Sequence, residues 1–270
     1  MSATRTLVRG AELEHERSGS GPDLIWGHGL SMDRVSDAAM ALLRWDAIGM
    51  TVLRYDARGH GRSTSTPDLE GYSWAELARD QLALADALGI DRYVAAGASM
   101  GCGTALHAAV IAPERIRALV LVIPPTAWET RAAQTEQWQQ AAHVIESQGL
   151  EAAIAARAAL KPPDPFVGDP ARLEQQAAAT RAWEPARLAH VMRGATTADL
   201  PARDQIARLR MPTLILAWTG DPAHPESTAR ELASLLPHSE LDLASTREQM
   251  GRWTELTRAF LDKALEVRTA

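Results

Sequence analysis

The chain has 270 residues, 46% of them hydrophobic, and a formal net charge of -6, which is enough to bury one large core and leaves no basic block to follow a nucleic-acid backbone. Met1 to Gly10 contain no apolar stretch of the secretory kind, and the longest apolar run, Ala118 to Ile123, is too short to cross a bilayer, so the expectation is a soluble, cytoplasmic protein without a membrane partner. A single cysteine, Cys102, excludes an internal disulfide and any cysteine-based metal cluster.

In chain order, short strands near Leu7 and Leu13 are expected to form a hairpin at a sheet edge. β-type runs then occur at Leu24 to Trp26, Thr51 to Tyr55, Tyr93 to Ala96, Ala118 to Ile123 and Thr213 to Ala217, with helical periodicity between most of them. The best-marked helix starts at the capping box Ser73-x-x-Glu76, carries Trp74, Leu77, Ala78, Ala85 and Leu88 on one stripe broken by Gln81, and stops at Gly89. Further helices are predicted from Pro225 or Glu226 to Leu236 and from Trp253 to Leu265, on either side of a last strand at Glu240 to Leu243. Strand and helix alternate as in an α/β protein with a mostly parallel central sheet flanked by helices.

From Thr126 to Ala207 the alternation stops in a segment rich in Ala, Gln, Glu and Trp. Inserted between two core strands, it must leave the sheet at the C-terminal strand ends, where open α/β sheets bind their ligands. The division expected is therefore a core of residues 1–125 and 208–270 with a helical lid over 126–207.

The chemistry centres on Gly97-Ala98-Ser99-Met100-Gly101, set between the strand at Tyr93 and a helical stretch from Thr104 to Ile111. A nucleophilic serine needs a tight, strained turn to project its oxygen from the sheet edge. Small neighbours let strand and helix approach, and the helix N-terminus favours negative charge.

With this elbow in place, the chain outside the insertion resembles the α/β-hydrolase fold. Gly27-His28-Gly29-Leu30 is similar to the family's oxyanion loop, which implies backbone N–H donors at Leu30 and Met100 and a turn-shaping part for His28. Asp56-Ala57-Arg58-Gly59-His60-Gly61-Arg62-Ser63 is similar to a structural stretch of that family. There Asp56 and Arg58 would tie down the loop, and a phosphate loop is excluded because no Gly-Lys-Ser or Gly-Lys-Thr follows. Trp218-Thr219-Gly220-Asp221-Pro222-Ala223-His224-Pro225 resembles the acid-bearing loop, with Asp221 in the acid's place.

One position departs from the family. Its histidine normally follows the last strand, and here that loop reads Ala244 to Gly251 without one. The eight histidines can be sorted by topology. His28 and His60 belong to the structural loops, His238 precedes the last strand at the wrong end of the sheet, His107 lies inside a helix, His15 lies in the hairpin, and His143 and His190 lie in the lid. His224 stands at the correct end, three residues after Asp221. It either turns inward as the general base or merely flanks the helix, held extended by Pro225, and both readings stay open at this point.

The function expected is hydrolysis of a carboxylic ester, lactone or thioester through an acyl-Ser99 intermediate, with Asp221 and His224 completing the catalytic set and no cofactor or metal required. Trp128, Trp138 and Trp183 in the lid and Trp26 and Trp218 near strand ends suggest a small, apolar or aromatic acyl substrate, with Trp128 and Trp218 as its contacts. The rival readings are carbon–carbon bond hydrolysis or cofactor-free oxygen chemistry on the same fold, or a non-catalytic small-molecule binding protein that has lost its base.

Overall fold

The computed structural model describes residues 3–266. Its eight strands are β1 (Thr4–Val8), β2 (Ala11–Gly19), β3 (Asp23–Gly27), β4 (Thr51–Tyr55), β5 (Tyr93–Ala98), β6 (Ile116–Val122), β7 (Thr213–Trp218) and β8 (Ser239–Ala244). They form one sheet in the order β1-β2-β4-β3-β5-β6-β7-β8. The β1–β2 and β2–β4 pairs are antiparallel, and every pair from β4 onward is parallel.

The helices are α1 (Arg34–Met40), α2 (Trp74–Ala87), α3 (Met100–Ile111), α4 (Arg131–Gln148), α5 (Leu150–Ala158), α6 (Pro170–Arg181), α7 (Pro185–Gly194), α8 (Arg203–Ile206), α9 (Glu226–Leu235), α10 (Arg247–Gly251) and α11 (Trp253–Glu266). None among the described residues is long and apolar enough to cross a membrane.

Alternate side chains of a strand point to opposite faces, and a parallel sheet is covered on both. Ile25, Leu53, Ala95 and Ile215 accordingly join one core cluster with Leu77 and Leu84 of α2, Leu106 of α3 and Leu232 of α9. Leu24, Val52, Val94 and Leu214 join a second with Trp253, Phe260 and Leu261 of α11.

Helix α2 is capped by Ser73, whose hydroxyl accepts from Glu76 N at 3.4 Å. The Glu76 carboxylate does not close the expected box. It pairs with Arg9 and Arg79, because a cationic partner outcompetes a neutral backbone N–H. Gln81, the break in the apolar stripe, is fully buried yet satisfied, lying between the hydroxyls of Tyr55 and Tyr93 at 3.4 and 3.3 Å.

All of α4 to α8 lies between β6 and β7. The two ends of this insertion are tied together by Arg131, which is 5% exposed. Its guanidinium is sandwiched between Trp74 and Trp138, 4.2 Å from each ring, and donates to the carbonyls of Ala198 and Ala195. Helix α7 docks on the core through Arg187, which donates to the carbonyls of Gly59 and Gly61 at 2.8 and 2.9 Å.

The site is positioned where β3, β5 and α3 meet. Gly27 pairs with Gly97 across the strands, and α3 leaves β5 so closely that a Cβ on Gly101 would stand 2.1 Å from Gly27 O. Both partners there are backbone, so neither can swing aside. Gly101→Ala should lower the unfolding free energy by about 3 kcal/mol or more, read as a shift in the urea midpoint at an unchanged m-value.

Candidate active site

Ser99 ends the turn between β5 and α3 with φ 53° and ψ -109°, a left-handed conformation that costs a non-glycine residue of order 1–3 kcal/mol. Its amide donates to Val122 O at 3.0 Å, and its carbonyl accepts from Cys102 N at 2.9 Å. The side chain, left free of the helix cap, projects into a cavity of about 480 Å³ lined by Leu30, Ile123, Trp138, Trp218, Asp221 and His224 among others.

Asp221 and His224 face Ser99 from the loop after β7. His224 Nε2 lies 2.8 Å from Ser99 Oγ, and His224 Nδ1 lies 2.7 Å from Asp221 Oδ2. Three residues of separation suffice because Asp221 to His224 form a tight turn, closed by His224 N donating to Asp221 O at 3.2 Å, which brings its first and last side chains to one side. Pro225 then caps α9 in an extended conformation, and the His224 ring before it still faces Ser99.

The loop is braced from several directions. Thr126 N donates to Ala223 O at 3.0 Å. Asp164 of the insertion accepts from Thr219 Oγ1 at 2.7 Å and donates its own amide to Thr219 O.

Burial works against ionisation of Asp221. Hydrogen bonds from His224, from Trp218 Nε1 at 2.9 Å and from Ala223 N at 2.9 Å outweigh it and hold the carboxyl below the usual carboxylate range. An ionised Asp221 can only accept, so Nδ1 carries the imidazole proton and Nε2 is left to accept from the Ser99 hydroxyl.

The N–H groups of Leu30 and Met100 donate to no protein acceptor among the described residues. Leu30 lines the cavity, and Met100 is the first residue of α3, where backbone donors have no partner within the helix. The Leu30 loop rests on two buried histidines. His28 Nε2 accepts from Ala57 N at 3.0 Å, and His60 Nε2 lies 2.8 Å from Leu30 O. Burial drops the pKa of His60 to about 3, so the ring is neutral.

Trp218 serves two ends, lining the cavity and holding Asp221 through its indole N–H; the second role gave no signal in the sequence. Trp128 does not line the cavity. Its indole donates to Pro201 O at 3.1 Å and its face is covered by Arg203, 4.3 Å away, so it packs the root of the insertion and the expectation of a substrate contact is corrected.

The remaining histidines stand apart, with His107 on Asp199 O, His190 on Thr66 O and His15 on Thr6. The loop after β8 is occupied by the capped helix α10, where Gln249 Oε1 accepts from Ser245 and Thr246 N.

The α/β hydrolase fold family matches residues 26–247. The chain is 27% identical over 237 residues to a putative carbamate hydrolase RutD of Azorhizobium caulinodans, covering 86% of this chain and 85% of that protein. It is 31% identical to 3-oxoadipate enol-lactonase 2 of Acinetobacter baylyi, over 71% and 69% of the two chains. Among solved structures, a hydrolase from Pseudomonas aeruginosa PA01 superposes with a TM-score of 0.79 at 25% identity, covering 97% of this chain and 98% of that one.

The depressed pKa of Asp221 fixes the sign of a stability effect. An ordinary aspartate titrates near ~3.9 when unfolded, so the folded state's preference for the ionised form contributes fully above that value and is lost as pH falls toward the lower folded value. Wild type should therefore exceed Asp221→Asn in unfolding free energy by more at pH 6 than at pH 3, measured by urea titration. An equal gap at both pH values would remove Asp221 from the acid-sensitive set.

Proposed function

Because the chain belongs to the α/β-hydrolase family, we propose that it hydrolyses a carboxylic ester, lactone or thioester through an acyl-Ser99 intermediate. The observation that carries this reading is the His224 imidazole, within hydrogen-bonding distance of Ser99 Oγ on one side and Asp221 on the other.

In the first half-reaction Ser99 Oγ attacks the carbonyl carbon as its proton passes to His224 Nε2. The resulting oxyanion accepts from the N–H groups of Leu30 and Met100, two preorganised donors of which each is typically worth ~3 kcal/mol when removed. Asp221 stabilises the imidazolium without taking its proton. Collapse of the tetrahedral intermediate breaks the bond to the leaving oxygen or sulfur, which receives the proton from Nε2. A water then gives a proton to Nε2 and its oxygen to the acyl carbon, and the proton returns to Ser99 Oγ as the acid departs. Every proton is accounted for by His224, so the sequence of steps needs no further group.

The insertion acts in this reading as a lid, because Trp138, Ile154, Leu188 and Met192 from its helices form much of the cavity wall. These apolar walls favour an apolar acyl or alcohol portion.

A serine hydroxyl without a base near neutrality is a poor nucleophile, and general-base help is worth ~10²–10⁴-fold. His224→Ala should lower kcat for short p-nitrophenyl esters by about that factor, and Ser99→Ala should abolish turnover and the mass gain from a serine-directed phosphonate. Full activity in the Ser99→Ala protein would end the acyl-enzyme reading, while full activity in His224→Ala alone would move the base elsewhere.

A further inference from the structure

The cavity that holds Ser99 also holds polar groups that the steps above do not use. Arg172, on α6 of the insertion, lines it and is 7% exposed. Its guanidinium carbon lies 4.4 Å from the Phe166 ring centroid, and Nη1 donates to Met40 O at 3.1 Å. A guanidinium has five donors. Here Nε is buried with no acceptor, Nη2 has none either, and Arg172 forms no ion pair among the described residues.

The nearby acids do not fill this gap. The Asp169 carboxylate is engaged by Arg247 and by Arg172's own amide. Asp37, also on the cavity wall, accepts from Trp26 Nε1 at 2.7 Å and makes no ion pair with Arg172, and burial pushes its pKa up to about 7. A second cation, the exposed Arg157 of α5, also lines the cavity and likewise has no carboxylate partner.

A buried guanidinium left without an acceptor along its Nε edge is unfavourable as it stands. That edge, Nε with Nη2, is the pair of parallel donors that matches the two oxygens of a carboxylate. Asp221, the remaining acid of the cavity, is already matched by His224. Arg172 and Arg157 are therefore the charged groups of the cavity wall that have no carboxylate partner among the described residues.

We propose that Arg172 binds a carboxylate on the substrate, so that the ester, lactone or thioester cleaved at Ser99 is one bearing a second, anionic carboxyl group at the far end of an apolar chain. This rests on the hydrolase reading above. Burial also pulls the Arg172 pKa down to about 10, a change that a bound anion would oppose. The apolar side chains that line the same cavity, Met40, Phe166 and Trp218 among them, would take the chain that joins the two carbonyl carbons.

The test uses the full chain and three p-nitrophenyl esters of similar length: the mono-ester of adipate, the hexanoate, and the cationic 4-(trimethylammonio)butanoate, each corrected for the rate with Ser99→Ala protein. The expected result is that kcat/KM favours the adipate ester over the hexanoate at least about tenfold, the scale of a hydrogen bond to a charged group. Arg172→Gln should reduce that ratio at least tenfold, with Arg172→Lys, which keeps the charge but loses the fork, falling between.

Equal rates for adipate and hexanoate esters in wild type, preference for the cationic ester, or an unchanged ratio in Arg172→Gln would each overturn the assignment. The last outcome is the one expected if Arg172 only packs the insertion onto α1, since that would lower both rates alike. Should the Arg172 variants not fold, the wild-type preference and calorimetric binding of adipate against hexanamide decide the matter. The calorimetry also separates the two readings: no turnover of any ester with adipate bound more tightly than hexanamide would sink hydrolysis while leaving the carboxylate site standing.

Discussion

Everything around Ser99 depends on how closely two stretches of backbone are allowed to pass. The first turn of α3 lies against the end of β3 with no side chain between them, because Gly27, Gly97 and Gly101 leave the space empty. That contact lets α3 start directly beneath the serine and holds Ser99 in a backbone conformation it would otherwise leave. It also fixes the spacing between the first amide of α3 and the loop that carries Leu30. The Ser99 hydroxyl and Leu30 thereby line one cavity, with the unpaired amide of Met100 next to the serine in the chain, as a by-product of strand pairing and helix packing.

The other half of the site is held by the insertion. Asp164 sits on the backbone and hydroxyl of Thr219, and a Cβ on Gly220 would meet the Asp164 carboxylate at 2.3 Å. Arg131 joins the two ends of the insertion, and Arg187 fastens α7 to the loop of Gly59 and Gly61 that follows β4. The insertion whose helices line the cavity thus also braces the loop of Asp221 and His224, through Asp164 in the segment between α5 and α6.

Much of the fold could be read from the chain because alternation of β-type runs with helical periodicity is a local signal, and each run from Leu24 to Thr213 overlaps a strand, the one at Ala118 running one residue past β6. The elbow was legible for the same reason, since strand, turn and helix adjoin in sequence. His224 was reached by sheet topology, but whether its ring faced Ser99 depended on a turn whose side-chain directions no periodicity reports. Trp128 was misassigned because a tryptophan near a site gives no sign of which way it faces, and Arg203, 75 positions away, covers it. Arg172, Asp37 and Asp164 passed unnoticed because single charged residues in helical or loop segments acquire meaning only through partners distant in the chain.

Asp221 and His224 share one four-residue turn, and this alters the mechanics of the site. When the two come from separate loops, two independent displacements can spoil the alignment. Here the distance between Asp221 and His224 is set within the turn itself, so a shift of the loop carries both as one rigid piece, and the only joint left to open is the one between His224 and Ser99. The strand and helices that follow, from β8 to α11, then take part only as a backing for that turn, with Ala244 O accepting from Thr219 N at 3.1 Å and Trp253 stacked on Trp218.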